Sequence, residues 1–147
     1  MKISAKTRYG TAAMICLAQN HGASEYTTII NLSEKLKISK IYLEQVFSLL
    51  KRAGLVASTK GSQGGYRLSK PPKNISAYDI FAALETSLIE KAKDTVSQSD
   101  KAIEMAMTRL VFGKLDEALG ALLSDISLGD LAAESEKYAS EGYMYYL

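Results

Sequence analysis

The run Lys60-Gly61-Ser62-Gln63-Gly64-Gly65-Tyr66-Arg67 constrains this chain more than any other stretch. Three glycines, two cations and no acid follow closely on an amphipathic helical pattern that ends at Gly54. Short β-type segments at residues 55–59 and 66–68 flank the glycines, so the stretch reads as a hairpin. Its cations and bare backbone N–H groups can lie close to phosphate. A helix followed by a basic glycine hairpin is the wing arrangement of a DNA-binding domain.

The residues before the wing supply the rest of such a domain. Helical character opens at Ser4, a good N-cap. Tyr9, Ala12, Ala13, Cys16, Leu17 and Asn20 follow at helical spacing, and His21-Gly22 marks the stop. A second helix is expected over residues 28–36, with Ile29, Ile30, Leu32 and Leu36 on its apolar side. After a short turn, Ser39 caps a third helix. Leu43, Val46, Phe47 and Leu50 form its buried face at i, i+3, i+4 and i+7, and Gly54 is its C′ residue. The outer side holds Lys40, Tyr42, Glu44, Gln45, Ser48, Lys51 and Arg52. A short helix, a tight turn and a longer helix with a polar outer face make a helix-turn-helix. The longer helix would enter the major groove with its N-terminal residues nearest the base edges. Gln pairs with adenine and Glu accepts from the cytosine amino group. A solvated helix face shows the same polar pattern, so the helix points to DNA only together with the wing.

Charge adds weight. Residues 1–75 contain 12 Lys/Arg against 3 Asp/Glu, a net of +9, while residues 76–147 contain 6 against 13, a net of −7. Glu44 is one of those three front-half acids, and an acid facing DNA makes sense mainly if it reads a base. The asymmetry suggests a polyanion-binding module joined to a different one. Pro71-Pro72 divides them, giving a winged helix-turn-helix domain over residues 1–72 and dimerisation or regulatory helices with a tail over residues 73–147. The fold class is mainly α with a small β-hairpin wing and a long dimerisation helix.

In the back half, Ser76 and Asp79 resemble a capping box, with Ile80, Phe81 and Leu84 on one face after it. Residues 85–99 read as a polar loop or frayed helix end. Asp79, Glu85, Glu90 and Asp94 read as helix-start and solvent-facing acids. A long helix is expected over residues 100–123, with a broad stripe of Ile103, Ala106, Met107, Leu110, Val111, Leu115, Ala118, Leu119 and Leu122. That is more apolar surface than a small winged domain covers, and a second subunit would cover it. Packing of this helix on its own domain is the alternative. Gly113 and Gly120 fall nearly on one face, where backbones could approach closely. Ser127 and Asp130 begin a last short helix. The aromatic end, Gly142-Tyr143-Met144-Tyr145-Tyr146-Leu147, reads as a docking tail. The chain shows no internal repeat.

Several classes are disfavoured. One cysteine leaves no intramolecular disulfide and no zinc site of several cysteines. No apolar run approaches the roughly 20 residues of a membrane span, and the start lacks an apolar signal core, so a cytoplasmic location is expected. An enzyme would need a nucleophile with its base, a phosphate loop or a metal cluster, and none is evident. A protein-interaction module on a winged scaffold is the remaining rival. It has no need of the basic wing.

Met1-Lys2-Ile3-Ser4, Arg8-Tyr9-Gly10, Tyr42-Leu43-Glu44-Gln45, Ala53-Gly54-Leu55-Val56, Gly64-Gly65-Tyr66-Arg67-Leu68 and Ile75-Ser76-Ala77-Tyr78-Asp79-Ile80 together resemble the bacterial winged-helix regulators that include IscR, NsrR and CymR. The resemblance covers nearly all of residues 1–85. It implies a homodimer, joined through the long helix, that binds palindromic double-stranded DNA. It implies DNA contacts from Glu44, Gln45 and the wing tip, and backbone contacts from Arg8, Tyr9, Ser39, Lys40 and Tyr42. Iron–sulfur members of the family bind their cluster through three cysteines in the segment before the long helix. Residues 85–109 contain none, and Cys16 and His21 are the chain's only thiol and imidazole. This departure, with the aromatic tail, resembles the cluster-free branch that contains the cysteine-metabolism repressor CymR. No cofactor is expected, a repressor of sulfur or cysteine genes is implied, and a cysteine-biosynthesis enzyme is a candidate co-regulator. Cys16 reads as a small core residue, with a redox sensor as the alternative if its thiol is exposed and its pKa lowered.

Overall fold

Five helices start on a Ser or Thr whose side-chain oxygen accepts a backbone N–H three residues on. They start at Ser4, Thr28, Ser39, Ser76 and Ser127, with distances of 3.0–3.2 Å. The structure is a computed structural model that describes residues 2–22, 26–61, 64–90, 93–96 and 100–141. Helices α1 (Ala5–Gln19), α2 (Ile29–Leu36) and α3 (Lys40–Arg52) precede a two-stranded antiparallel sheet of β1 (Val56–Thr59) and β2 (Gly65–Leu68). Then come α4 (Ala77–Leu84), a short α5 (Thr86–Ile89), one long helix and α8 (Leu128–Ser140). The long helix runs as α6 (Lys101–Met107), a π-helical turn (Thr108–Phe112) and α7 (Gly113–Ser124). This is the expected mainly helical fold with a β-hairpin wing.

The core gathers on α3. Leu43, Val46, Phe47 and Leu50 are all fully buried, as the i, i+3, i+4, i+7 spacing predicts. Leu17 of α1, Leu32 of α2 and Leu68 of β2 belong to the same cluster. So do Ile75, Ile80, Leu84 and Leu128, so the apolar core runs on past Pro71-Pro72 into the helices that follow.

The inner face of α1 differs from the sequence expectation. Thr7, Gly10, Ala13, Met14, Cys16 and Leu17 are buried, whereas Tyr9 is 44% exposed and Asn20 is exposed. Gly10, Ala13, Met14 and Leu17 are themselves an i, i+3, i+4, i+7 set. Their small members let α3 and α4 approach: a methyl on Gly10 would run into Leu84 and Val46.

Three features of the back half were not legible as pattern. Ile75-Ser76-Ala77-Tyr78-Asp79 and Ile126-Ser127-Leu128-Gly129-Asp130 are short echoes of one another, both folded as capping boxes. They join reciprocally. Ala77 N–H donates to the Ile126 carbonyl at 2.8 Å, and Leu128 N–H to that of Ile75 at 2.7 Å. The start of α8 is thereby fixed beside the start of α4. This last helix is no short one; it has 13 residues and packs along α1. Finally, the π turn closes with Gly113 N–H donating to the Thr108 carbonyl. A Cβ on Gly113 would stand 2.7 Å from that oxygen. The glycine is thus required by its own helix; beside Gly120, a Cβ would meet nothing.

Candidate nucleic-acid interface

Ser39 starts α3, and the turn before it is locked from within. Lys37 adopts the left-handed conformation, φ +57°. The Ser33 hydroxyl donates to the Ile38 carbonyl at 2.6 Å, and Ile38 is buried. With the apolar face of α3 spent on the core, Lys40, Ile41, Glu44, Gln45, Ser48, Lys51 and Arg52 are all exposed. Tyr42 is the exception to the expected outer face. It is half-buried and meets the Tyr9 ring edge-on, with centroids 5.5 Å apart. This pair ties α1 to α3.

The wing is fastened to the helix-turn-helix at two points. Tyr66 stacks on the buried Phe47 of α3, with centroids 4.4 Å apart and planes at 23°. Thr27, just before α2, exchanges backbone hydrogen bonds with Tyr66 at 2.9 and 2.8 Å. A Cβ on Gly65 would come within 2.6 Å of the Thr27 carbonyl carbon, so only glycine admits this approach. The strands pair Val56 with Leu68 and Thr59 with Gly65. Tyr66 and Leu68 therefore face inward while Arg67 faces out, its guanidinium 4.8 Å from the Tyr26 ring centroid. Between the start of α2, α3 and the wing runs an open groove lined by Thr28, Ile30, Glu44, Lys51, Lys60 and Gly64 among others. Lys60 and Gly61 are exposed at the tip. Ser62 and Gln63 lie outside the described residues, as does the aromatic tail.

Arg8 is exposed on the first turn of α1, which is held by a node that the sequence did not suggest. Glu85, expected to face solvent, instead accepts from the hydroxyls of Ser4 and Thr7, both at 2.6 Å, and from Ser4 N–H at 3.0 Å. The Ser4 hydroxyl first, then that of Thr7, holds the Glu85 carboxyl below the ordinary glutamate range. Glu85 ends α4, so this bond set joins the N-terminus of α1 to the path toward the long helix. The only sequence signal was the pairing of a lone acid with two hydroxyls 81 and 78 residues away.

On the long helix, Ile103, Leu110, Val111, Leu115 and Leu122 are exposed, Leu110 at 65%. Met107 and Leu119 are half-buried, and α7 packs against α4. Cys16 is 5% exposed in the core cluster, and burial pushes its thiol pKa up despite Lys35 nearby. Those conditions suit a core residue rather than a reactive thiolate. His21 is exposed beyond the end of α1.

The chain matches the Rrf2 family model, described as an iron-dependent transcriptional regulator, over residues 3–134. It is 36% identical over 149 residues to the regulator CymR of Bacillus subtilis (strain 168), covering 100% of both chains. It is 34% identical over 136 residues to the regulator IscR of Vibrio atlanticus (strain LGP32), covering 92% of this chain and 78% of the relative. The solved structure of CymR, described as the global cysteine regulator of B. subtilis, superposes with a TM-score of 0.74 at 34% identity, over 91% of this chain and 98% of that one. The iron in the family description finds a poor donor set here. A thiolate-bound cluster needs several cysteines, and the one cysteine is buried in α1. Among the described residues no group of three or more His, Cys, Asp or Glu could hold a metal ion. Winged fold, the exposed outer face of α3 and full-length similarity agree: the chain belongs to the Rrf2 family of transcription regulators.

Proposed function

We propose that this protein is a homodimeric repressor that binds a palindromic operator without an iron–sulfur cluster and controls sulfur or cysteine metabolism genes. The observation behind the DNA reading is the outer face of α3, exposed from Lys40 to Arg52 beside the basic wing. Glu44 and Gln45 would read base edges. Ser48, Arg52 and the wing from Lys60 to Arg67 would complete the contact, with Arg8, Tyr9, Ser39, Lys40 and Tyr42 on the phosphate backbone. The exposed apolar stripe of the long helix supports dimerisation, because monomers seldom leave such a patch uncovered. Two copies joined there would present two recognition helices to two half-sites.

The cysteine assignment rests on full-length similarity to CymR, and cluster-free action on the donor set. A cysteine-biosynthesis enzyme as co-regulator and a cytoplasmic location belong to the same proposal. No helix among the described residues is long and apolar enough to cross a membrane.

The test is binding of the purified protein to genomic fragments across a salt series. Operators should lie upstream of sulfur or cysteine genes, and log affinity should fall with log salt at about −0.9 per phosphate contacted. The same preparation should be colourless, without iron or acid-labile sulfide. Salt-independent binding, or a stoichiometric coloured cluster after anaerobic reconstitution, would overturn the corresponding part.

A further inference from the structure

Ile41 is 71% exposed, more than any other large apolar side chain described. Single exposed apolar residues are ordinary on protein surfaces, so its position is what gives it meaning. At about 100° per residue, Ile41, Ser48 and Arg52 fall within roughly 20° of one line along α3. Glu44 lies about 60° to one side of that line and Gln45 about 40° to the other. Glu44 and Lys51 line the groove toward the wing. Ile41 therefore occupies the middle of the outward face, on the first turn, where a recognition helix comes nearest the base edges.

Its chemistry then selects what it can meet. An isoleucine neither donates nor accepts a hydrogen bond, and beside a purine edge it would leave polar atoms unpaired. The apolar feature of the major groove is the C5-methyl group of thymine. Being β-branched, Ile41 has one strongly preferred χ1 rotamer in a helix, so little side-chain freedom is lost on contact. The core residues of α3 lie on the opposite face, fully buried. A change at Ile41 leaves them in place.

We propose that Ile41 is a specificity-determining residue that packs against a thymine 5-methyl group in each half-site, beside the base pairs read by Glu44 and Gln45. The proposal rests on the DNA-binding reading above and adds to it a base preference that hydrogen bonds do not supply.

The experiment selects duplexes from a random pool with the full-length protein, then replaces each thymine of the best site singly by deoxyuridine. That change deletes the methyl group and keeps every hydrogen-bonding atom. At one thymine per half-site, uracil should weaken binding about fourfold, and about fifteenfold when both half-sites are changed, as expected for loss of one buried methyl at each. Ile41→Ala should bind the thymine and uracil duplexes equally, while Ile41→Val keeps most of the discrimination. The circular dichroism spectrum should be the same for all three proteins. Indifference of the wild type to uracil everywhere, with sequence-specific binding intact, overturns the role of Ile41 and leaves the DNA reading standing. So does a uracil penalty that persists undiminished in Ile41→Ala. Failure of the pool to yield any retained sequence at low salt overturns the DNA reading, and this inference with it.

Discussion

Glu85 receives three hydrogen bonds from the first turn of α1, two of them hydroxyl bonds of 2.6 Å. Its pKa in the folded protein lies below that in the unfolded chain. As pH falls, the unfolded chain takes up the proton first. The stabilisation is thus fully present above the ordinary glutamate range and drains away as pH falls from that range through the lower folded-state value. Glu85→Gln removes that dependence. Urea midpoints of wild type and variant should differ most near neutrality and converge in acid; a gap that stays constant with pH would exclude this role. Phe47 is fully buried beneath the Tyr66 ring. Phe47→Ala should cost about 3–5 kcal/mol of stability and loosen the wing, which calorimetry and protease sensitivity would report together.

At the scale of the element, the proposed function gives α3 and the wing different work. Glu44→Ala and Gln45→Ala should relax sequence choice, each by roughly 1–3 kcal/mol of discrimination, with little effect on random DNA. Lys60→Ala and Arg67→Ala should weaken binding to operator and random DNA alike. Competition titrations against both DNA classes separate the two patterns, and equal losses for Glu44→Ala would count against base reading. The capping box of α8 offers a stability test away from DNA. Backbone N–H donation from Ser127, then its hydroxyl, holds the Asp130 carboxyl below the ordinary aspartate range. Ser127→Ala removes the N-cap and should cost about 0.5–2 kcal/mol, measurable as a lower urea midpoint with an unchanged slope.

At the scale of the whole molecule, the long helix leaves Leu110 and Leu115 at 65% and 60% exposure. In a dimer joined there, Leu110→Asp or Leu115→Asp would place a carboxylate in an apolar seam, at a cost of several kcal/mol. Each should sediment as a folded monomer and lose most of its operator affinity, because one recognition helix reaches one half-site. Dimers persisting at micromolar concentration with full affinity would place the seam elsewhere. The Glu85 node gives this architecture a path from the α1 turn bearing Arg8 to the end of α4.

Local chemistry determined what lay within a few residues. The cap hydroxyls at Ser4, Ser39 and Ser76, the four core positions of α3 and the glycine wing were legible because capping, helical periodicity and turn formation are short-range. The exposed stripe of the long helix was legible for the same reason. Tertiary structure alone decided the rest. Gly10 and Met14, which the helical spacing passed over, lie buried on the inner face of α1, where a Cβ on Gly10 would run into Leu84 and Val46. Tyr42, on the outer side of α3 by spacing, is half-buried because its ring meets Tyr9 edge-on. Glu85 found Ser4 and Thr7 about 80 residues away, and two similar cap sequences locked α4 to α8. Each of these depends on which distant surface arrives beside a residue, and a single chain's local pattern holds no record of its distant neighbours.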